Sequence, residues 1–100
     1  MAVKVVWTVD GTRSFQDILE YLLLNFSEKE AHRFFHAVEA KLKLAQSNPM
    51  MYRQSARFPN VHVTVVLKKV LLVYRYKQRE QIIEVLVCWD GRRDPKKFKF

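Results

Sequence analysis

The sequence predicts an α+β fold: a two-layer sandwich in which a helix hairpin packs on one face of a mostly antiparallel sheet of four to five strands. Three features predict it. A β-branched run from Lys4 to Val9 opens the chain. Two stretches with helical apolar spacing follow, between Phe15 and Ala45. Runs with strand character then close it: His62 to Leu67, Val70 to Tyr76 and Ile82 to Cys88. The order is β-α-α-β-β-β, and helices segregated from a strand meander form two layers. The length of 100 residues, 49% of them hydrophobic, implies one domain, residues 1–100, able to bury a core without disulfides.

Each element has its local reason. Lys4–Val9 is the expected first strand, ended by a turn at Asp10-Gly11. Ser14 is the expected N-cap of the first helix, with Asp17 three residues on, and Phe15, Ile18, Leu19, Leu22, Leu23 and Phe26 make its buried face. Ser27 restarts a helix, with Glu30 as the reciprocal capping-box acid. Ala31, Phe34, Phe35, Val38, Leu42 and Ala45 line that second helix, which stops at Asn48-Pro49 because the residue before proline is driven out of the helical region. A loop this short makes the pair an antiparallel hairpin. Met51 to Phe58 is a candidate edge strand, where Arg53 and Arg57 suit a solvated edge. In the meander, Val63, Val65 and Leu67 share a face, and Lys68-Lys69 makes a tight connection. Beyond it, Leu71, Val73 and Arg75 face one way and Val70, Leu72, Tyr74 and Tyr76 the other. The sheet face opposite the helices is expected to be open, with the surplus Lys and Arg on it or along one edge.

That surplus is one-sided. Residues 1–50 are neutral, with six basic and six acidic side chains, whereas residues 51–100 hold twelve Lys/Arg against four acids, so the whole net charge of +8 lies on the second half. A field of this kind implies an anionic partner, nucleic acid or an acidic protein segment. The lone Cys88 lies in the last apolar run and fits a reduced, intracellular protein better than a disulfide framework. The N-terminus has no secretory pattern and no apolar stretch is long enough to span a bilayer, so a cytoplasmic location without membrane contact is expected.

Most chemistry-bearing patterns are missing. Only Gly11 and Gly91 exist, which excludes a glycine-rich phosphate cradle. His32 and His36 are spaced for one metal, with Glu28 a turn earlier, but Arg33 stands where a zinc protease needs glutamate, and a polar helix face is the better reading. No cofactor and no metal are expected. Met50-Met51 read as the closure of a core end. What remains is a basic set interleaved with aromatics: Arg53, Arg57, Lys68, Lys69, Arg75, Lys77, Arg79, Arg92, Arg93, Lys96, Lys97 and Lys99 among Tyr52, Tyr74, Tyr76, Trp89, Phe98 and Phe100. Arginine forks onto phosphate and rings stack on unpaired bases; the same set equally fits docking of an acidic peptide, with the aromatics as anchors.

Three segments carry a resemblance to a known family. Asn48-Pro49-Met50-Met51-Tyr52-Arg53 follows the second helix, Leu72-Val73-Tyr74-Arg75-Tyr76 forms a middle strand, and Ile83-Glu84-Val85-Leu86-Val87 leads into Trp89-Asp90-Gly91-Arg92-Arg93-Asp94-Pro95. In this order the chain resembles, over nearly its whole length, the RelE/ParE superfamily of bacterial toxin–antitoxin toxins. The resemblance implies a last strand beside the first and a cognate antitoxin whose C-terminal segment, rich in acids and apolar residues, wraps the toxin. One branch of that family cuts mRNA in the ribosomal A site without metal; the other poisons DNA gyrase. For a nuclease, His62, Arg75, Tyr76 and Arg92 are the catalytic candidates, with Arg53, Lys68 and Lys69 also clamping phosphate. In the cutting branch an arginine commonly precedes the Leu-Val-Tyr, where this chain has Leu71, and the tail supplies a Tyr or His, where it has Phe98 and Phe100. Phenylalanine moves no proton. The resemblance therefore favours a gyrase-binding toxin, with Arg53, Lys68, Lys69, Arg92, Arg93, Lys96 and Lys97 as target-binding residues. The alternatives are a ribosome-dependent mRNA endonuclease and a degenerate, non-toxic member.

Overall fold

In a computed structural model, which describes residues 2–100, strand β1 (Lys4–Trp7) leads into helices α1 (Val9–Asn25) and α2 (Glu28–Ser47). Strands β2 (Arg53–Gln54), β3 (Val61–Val66), β4 (Val70–Lys77) and β5 (Ile82–Asp90) follow, then a single 3₁₀ turn at Pro95–Lys97. The five strands form one sheet in the order β1-β5-β4-β3-β2, antiparallel except that β1 runs parallel to β5. The first strand thus lies beside the last, as the resemblance implies.

Helix α1 begins earlier than its local sequence predicts. Its N-cap is Thr8, not Ser14, and Asp10-Gly11 lies in its first turn instead of a separate one. Thr8 is extended (φ −72°, ψ 167°), accepts from the Gly11 N–H at 2.9 Å and donates its hydroxyl proton to the Val85 carbonyl at 2.7 Å. Asp10 sits where the helix dipole favours a negative charge. Gly11 is buried because the helix meets β5 there: a Cβ would overlap the Val85 carbonyl oxygen. Ser14, displaced from capping, instead accepts from the Cys88 N–H at 2.9 Å. Its hydroxyl therefore satisfies β5 beyond the point where β1 ends.

Helix α2 starts at Ser27 as its capping pattern predicts, with the Glu30 N–H donating to Ser27 Oγ at 3.2 Å. Its buried residues are Ala31, Phe34, Val38, Leu42 and Ala45. Leu23 and Phe26, expected on the buried face of α1, are exposed, because at the hairpin tip the helices have only each other to pack on. No helix among the described residues is long and apolar enough to cross a membrane.

The strands alternate as predicted, with one shift of parity. Val70, Leu72 and Tyr74 of β4 meet the helices in the main core, alongside Phe34, Val38, Leu42, Ile83 and Val85. Leu71 and Val73 face the other way and cluster with Val61 and Val63. In β5 the register slips: Tyr74 pairs with Val85 and Val73 with Val87, leaving Leu86 as a bulge. The slip turns Cys88 into the helix-side core and Trp89 to the opposite face. The β3–β4 hairpin turns on Leu67 and Lys68, at φ 50° and 65°, one residue before the Lys68-Lys69 connection that its composition predicts. The two successive positive φ angles let the Lys69 N–H donate back to the Val66 carbonyl at 3.2 Å, closing a three-residue connection between the paired Val66 and Val70.

Candidate functional site

The face opposite the helices is not open. Phe98 and Phe100 fold back onto Val61, Val63, Val73 and Val87, and the Phe100 carbonyl accepts from Ser55 Oγ at 2.9 Å. Phe100 also packs on Phe58, with ring centroids 5.5 Å apart, and Phe98 on Trp89 at 5.7 Å. The expected bed of cations on this face is thus an apolar surface roofed by the tail. Arg75 does point to this side, where it meets Glu84 at 3.7 Å, and Lys77 reaches the same carboxylate at 3.5 Å.

His62, a catalytic candidate for a nuclease, points away from the face that holds Arg75. It is buried on the helix side and stacks on Tyr74 with centroids 5.3 Å apart. Its Nδ1 lies 3.0 Å from the Tyr52 carbonyl oxygen, so Nδ1 carries the proton and donates. Its Nε2 is buried without a partner. Tyr74 anchors the stack by donating to the Pro49 carbonyl at 2.7 Å, and its hydroxyl is raised above the ordinary tyrosine range, first by burial and then by neighbouring Tyr52. Tyr76 also faces the helices and accepts from Gln81 Nε2 at 3.2 Å. No proton-transfer group of the candidate set therefore stands beside Arg75 on the roofed face.

The cations gather elsewhere. The Gly91 N–H donates to the Lys69 carbonyl at 2.6 Å, and Val70 pairs with Asp90, so the β3–β4 turn and the segment after β5 share one end of the sheet. A Cβ at position 91 would press on that Lys69 carbonyl, which accounts for glycine there. This end carries Lys68, Lys69, Arg92 and Arg93, and Lys96 and Lys97 follow in the 3₁₀ turn, where Lys97 lines a cavity with Asp10, Arg13 and Asp17 of α1; all six are exposed. Asp94 caps the 3₁₀ turn, accepting from the Lys96 N–H at 3.0 Å, and so fixes the last two of them. Arg53 is not with them: it lies on outer strand β2, paired with Val63.

Arg92 and Arg93 are held differently. Asp90 accepts from Arg92 Nε at 3.3 Å and from its Nη2 at 3.2 Å, and the guanidinium lies 5.1 Å from the centre of the Tyr21 ring. Partial burial pushes the Asp90 carboxyl up, but the hydrogen bonds and charge of Arg92, with Arg93 adding, outweigh it and hold the group below its ordinary value. Arg93 lies over Trp89 at 4.8 Å. Tyr21 comes from α1, about seventy residues away, and no local pattern in the sequence connects it to Arg92.

Two further features concern partners and metals. A groove of about 770 Å³ runs between the helices and β1, lined by Val5, Trp7, Phe15, Leu19, Phe35 and Leu42 among others, beside the unpaired edge of β1. On α2, His32 lies 3.8 Å from Glu28 and His36 lies 3.3 Å from Glu39. No group of three or more potential metal-ligating side chains occurs among the described residues. Cys88 is buried, and burial pushes its thiol up to about 12, so it is a core side chain and not a nucleophile.

Comparison with known proteins agrees with this geometry. A family model described as the ParE toxin of the type II toxin–antitoxin system parDE matches residues 5–95. No curated protein matches the chain in sequence. The fold is shared with a chain of the chromosomal ParDE toxin–antitoxin system from P. aeruginosa, at a TM-score of 0.72 and 13% identity over 88% of this chain and 95% of that one. It is shared with a YoeB/ParE toxin from Agrobacterium tumefaciens, at 0.64 and 17% identity over 88% and 98% of the two chains. The isolated E. coli RelE toxin aligns at 0.67 and 10% identity over 95% and 90%.

Proposed function

Because the chain belongs to the ParE toxin family and is the toxin of a type II toxin–antitoxin system with a cognate antitoxin, we propose that it arrests growth by binding DNA gyrase in the cytoplasm, not by cutting RNA. The observation that carries this is the roofed, apolar face of the sheet. A phosphate-cleaving site needs clamping cations and a proton-transfer group converging on one point. Here Arg75 is engaged with Glu84, His62 and Tyr76 face the helices on the other side of the sheet, and Phe98 and Phe100 cover the face to which Arg75 points. Lys68, Lys69, Arg92 and Arg93 at the β3–β4 end, with Lys96 and Lys97 of the 3₁₀ turn that follows, form the target-contacting rim, with Arg53 as an outlying contact.

The antitoxin reading rests on shape and charge. The groove beside β1 offers an apolar trough next to an unpaired strand edge, which suits an added segment with alternating apolar anchors. Acidic residues in the same partner would be drawn to the basic end and would mask it.

The test is expression without antitoxin. Growth arrest with an SOS response and DNA trapped covalently on gyrase is expected. Primer extension showing cuts at ribosomal A-site codons, with replication intact, would replace this reading with the mRNA endonuclease, for which His62, Arg75, Tyr76 and Arg92 are the residues to substitute. Growth without arrest would indicate a member that retains only antitoxin binding.

A further inference from the structure

We propose that the β3–β4 end of the sheet binds the phosphodiester backbone of duplex DNA directly. This rests on the gyrase reading and names the ligand of the same rim. Among the described residues, the ion pairs engage Arg33, Arg75, Lys77 and Arg92, together with His32 and His36. Lys68, Lys69, Arg93, Lys96 and Lys97 take part in none of them, as is true of most Lys and Arg of the chain; these five are set apart by lying in the β3–β4 turn and in the segment after β5, which meet where Gly91 binds Lys69. At the far end of β4, by contrast, Arg75 and Lys77 share Glu84. The unpaired set is also fixed at its backbone. Gly91 binds the Lys69 carbonyl at 2.6 Å, the Arg93 N–H donates to the Asp90 carbonyl at 3.0 Å, and the Asp94 carboxylate is occupied in capping Lys96. Exposed, unpaired cations on a fixed backbone suit a polyanion, since phosphate contact releases condensed counterions without breaking internal pairs.

The aromatic rings decide between duplex and single strand. Recognition of unpaired bases or of RNA loops relies on exposed rings for stacking. Trp89 is covered by Arg93 and flanked by Phe98, and Phe98 and Phe100 are committed to the sheet. No free stacking platform stands among these cations, so backbone contact to a duplex is the interaction that this end can make.

The experiment uses the full chain and a short fluorescent duplex of mixed sequence, with anisotropy read from 50 to 200 mM salt. With five phosphate contacts, the slope of log K against log salt is about −4.5, a loss of roughly 500-fold over that range. The turn variant Lys68→Gln/Lys69→Gln, checked for native circular dichroism, lowers the slope magnitude by about 2. Lys29→Gln on α2 leaves it unchanged. Tighter binding to a single strand than to the duplex, no duplex binding at 50 mM salt, or an unaltered slope in the turn variant overturns the proposal. Parallel gyrase cleavage assays separate the two readings. Trapped gyrase without duplex binding leaves the gyrase reading standing and removes this one. Slope-sensitive duplex binding without trapped gyrase does the reverse.

Discussion

Gly11→Ala reverses the sign expected of a helical glycine. In an open helix interior, alanine gains about 0.8–1 kcal/mol over glycine. Position 11 lies in the first turn of α1, so local propensity alone predicts a stabilised protein. The packing predicts the opposite. The new methyl would overlap the Val85 carbonyl oxygen and crowd Thr8 Oγ1. Both are fixed: the Val85 carbonyl accepts from the Thr8 N–H at 3.1 Å and from its hydroxyl at 2.7 Å, and Val85 itself is fully buried. The helix start must therefore move away from β5. Forcing a methylene-sized group into such a seam costs about 1–3 kcal/mol, and loosening the Thr8 cap adds roughly 1 kcal/mol. After the propensity gain is subtracted, a net loss of about 1–3 kcal/mol remains. For a chain of this size that lowers Tm by roughly 5–20 °C. Thermal and urea unfolding followed by circular dichroism will measure it. A Tm equal to or above wild type would refute the close approach of α1 to β5 and restore the turn reading of Asp10-Gly11.

Further expectations follow from the roof, the acid, the thiol and the buried histidine. Phe98→Ala/Phe100→Ala exposes the Val61–Val63–Val73 face, so binding of the dye ANS to the native state rises and stability falls by about 1–3 kcal/mol; unchanged ANS fluorescence would show that the tail does not cover the sheet. Asp90 has a folded pKa below its ordinary 3.8, so its contribution is present above that value and is lost as pH falls through the folded one. Asp90→Asn should therefore reduce the acid-induced loss of stability below about pH 4, read from urea midpoints across pH. Burial holds Cys88 protonated, so iodoacetamide should label it only after unfolding, even at pH 9; rapid labelling of the native chain would contradict its core position. His62→Ala should act as a packing loss of about 2–4 kcal/mol, seen as a lower Tm, because the ring is buried against Tyr74; an unchanged Tm would argue against that burial.

What was legible in the sequence followed simple periodicities. The alternation of Val70 to Tyr76 assigns each side chain of β4 to its face, and the Ser27–Glu30 pattern marks where α2 begins. The start of α1 was hidden because glycine has two uses. Beside Asp10 it signals a turn, whereas its role here is to admit the backbone of a strand more than seventy residues away. The bulge at Leu86 was equally hidden, since an inserted residue changes facing without changing composition. Within the candidate site, the gathering of Lys68 and Lys69 with Arg92 and Arg93 depends on β4 and β5 pairing in register, which the meander order allows but does not specify. The roof left a faint signal, Phe98-Lys99-Phe100, whose period of two puts both rings on one side. Its partners Ser55 and Phe58 lie about forty residues earlier, beyond the reach of any local pattern.

The most direct test of the central claim is a gyrase cleavage assay with purified toxin, supercoiled plasmid and ATP. A toxin that acts by binding gyrase is expected to accumulate linear DNA bound covalently to the enzyme, and Lys68→Gln/Lys69→Gln to reduce that accumulation several-fold while leaving the fold intact. Gyrase that supercoils normally at saturating toxin, alongside ribosome-dependent cutting of mRNA by the same preparation, would contradict the account.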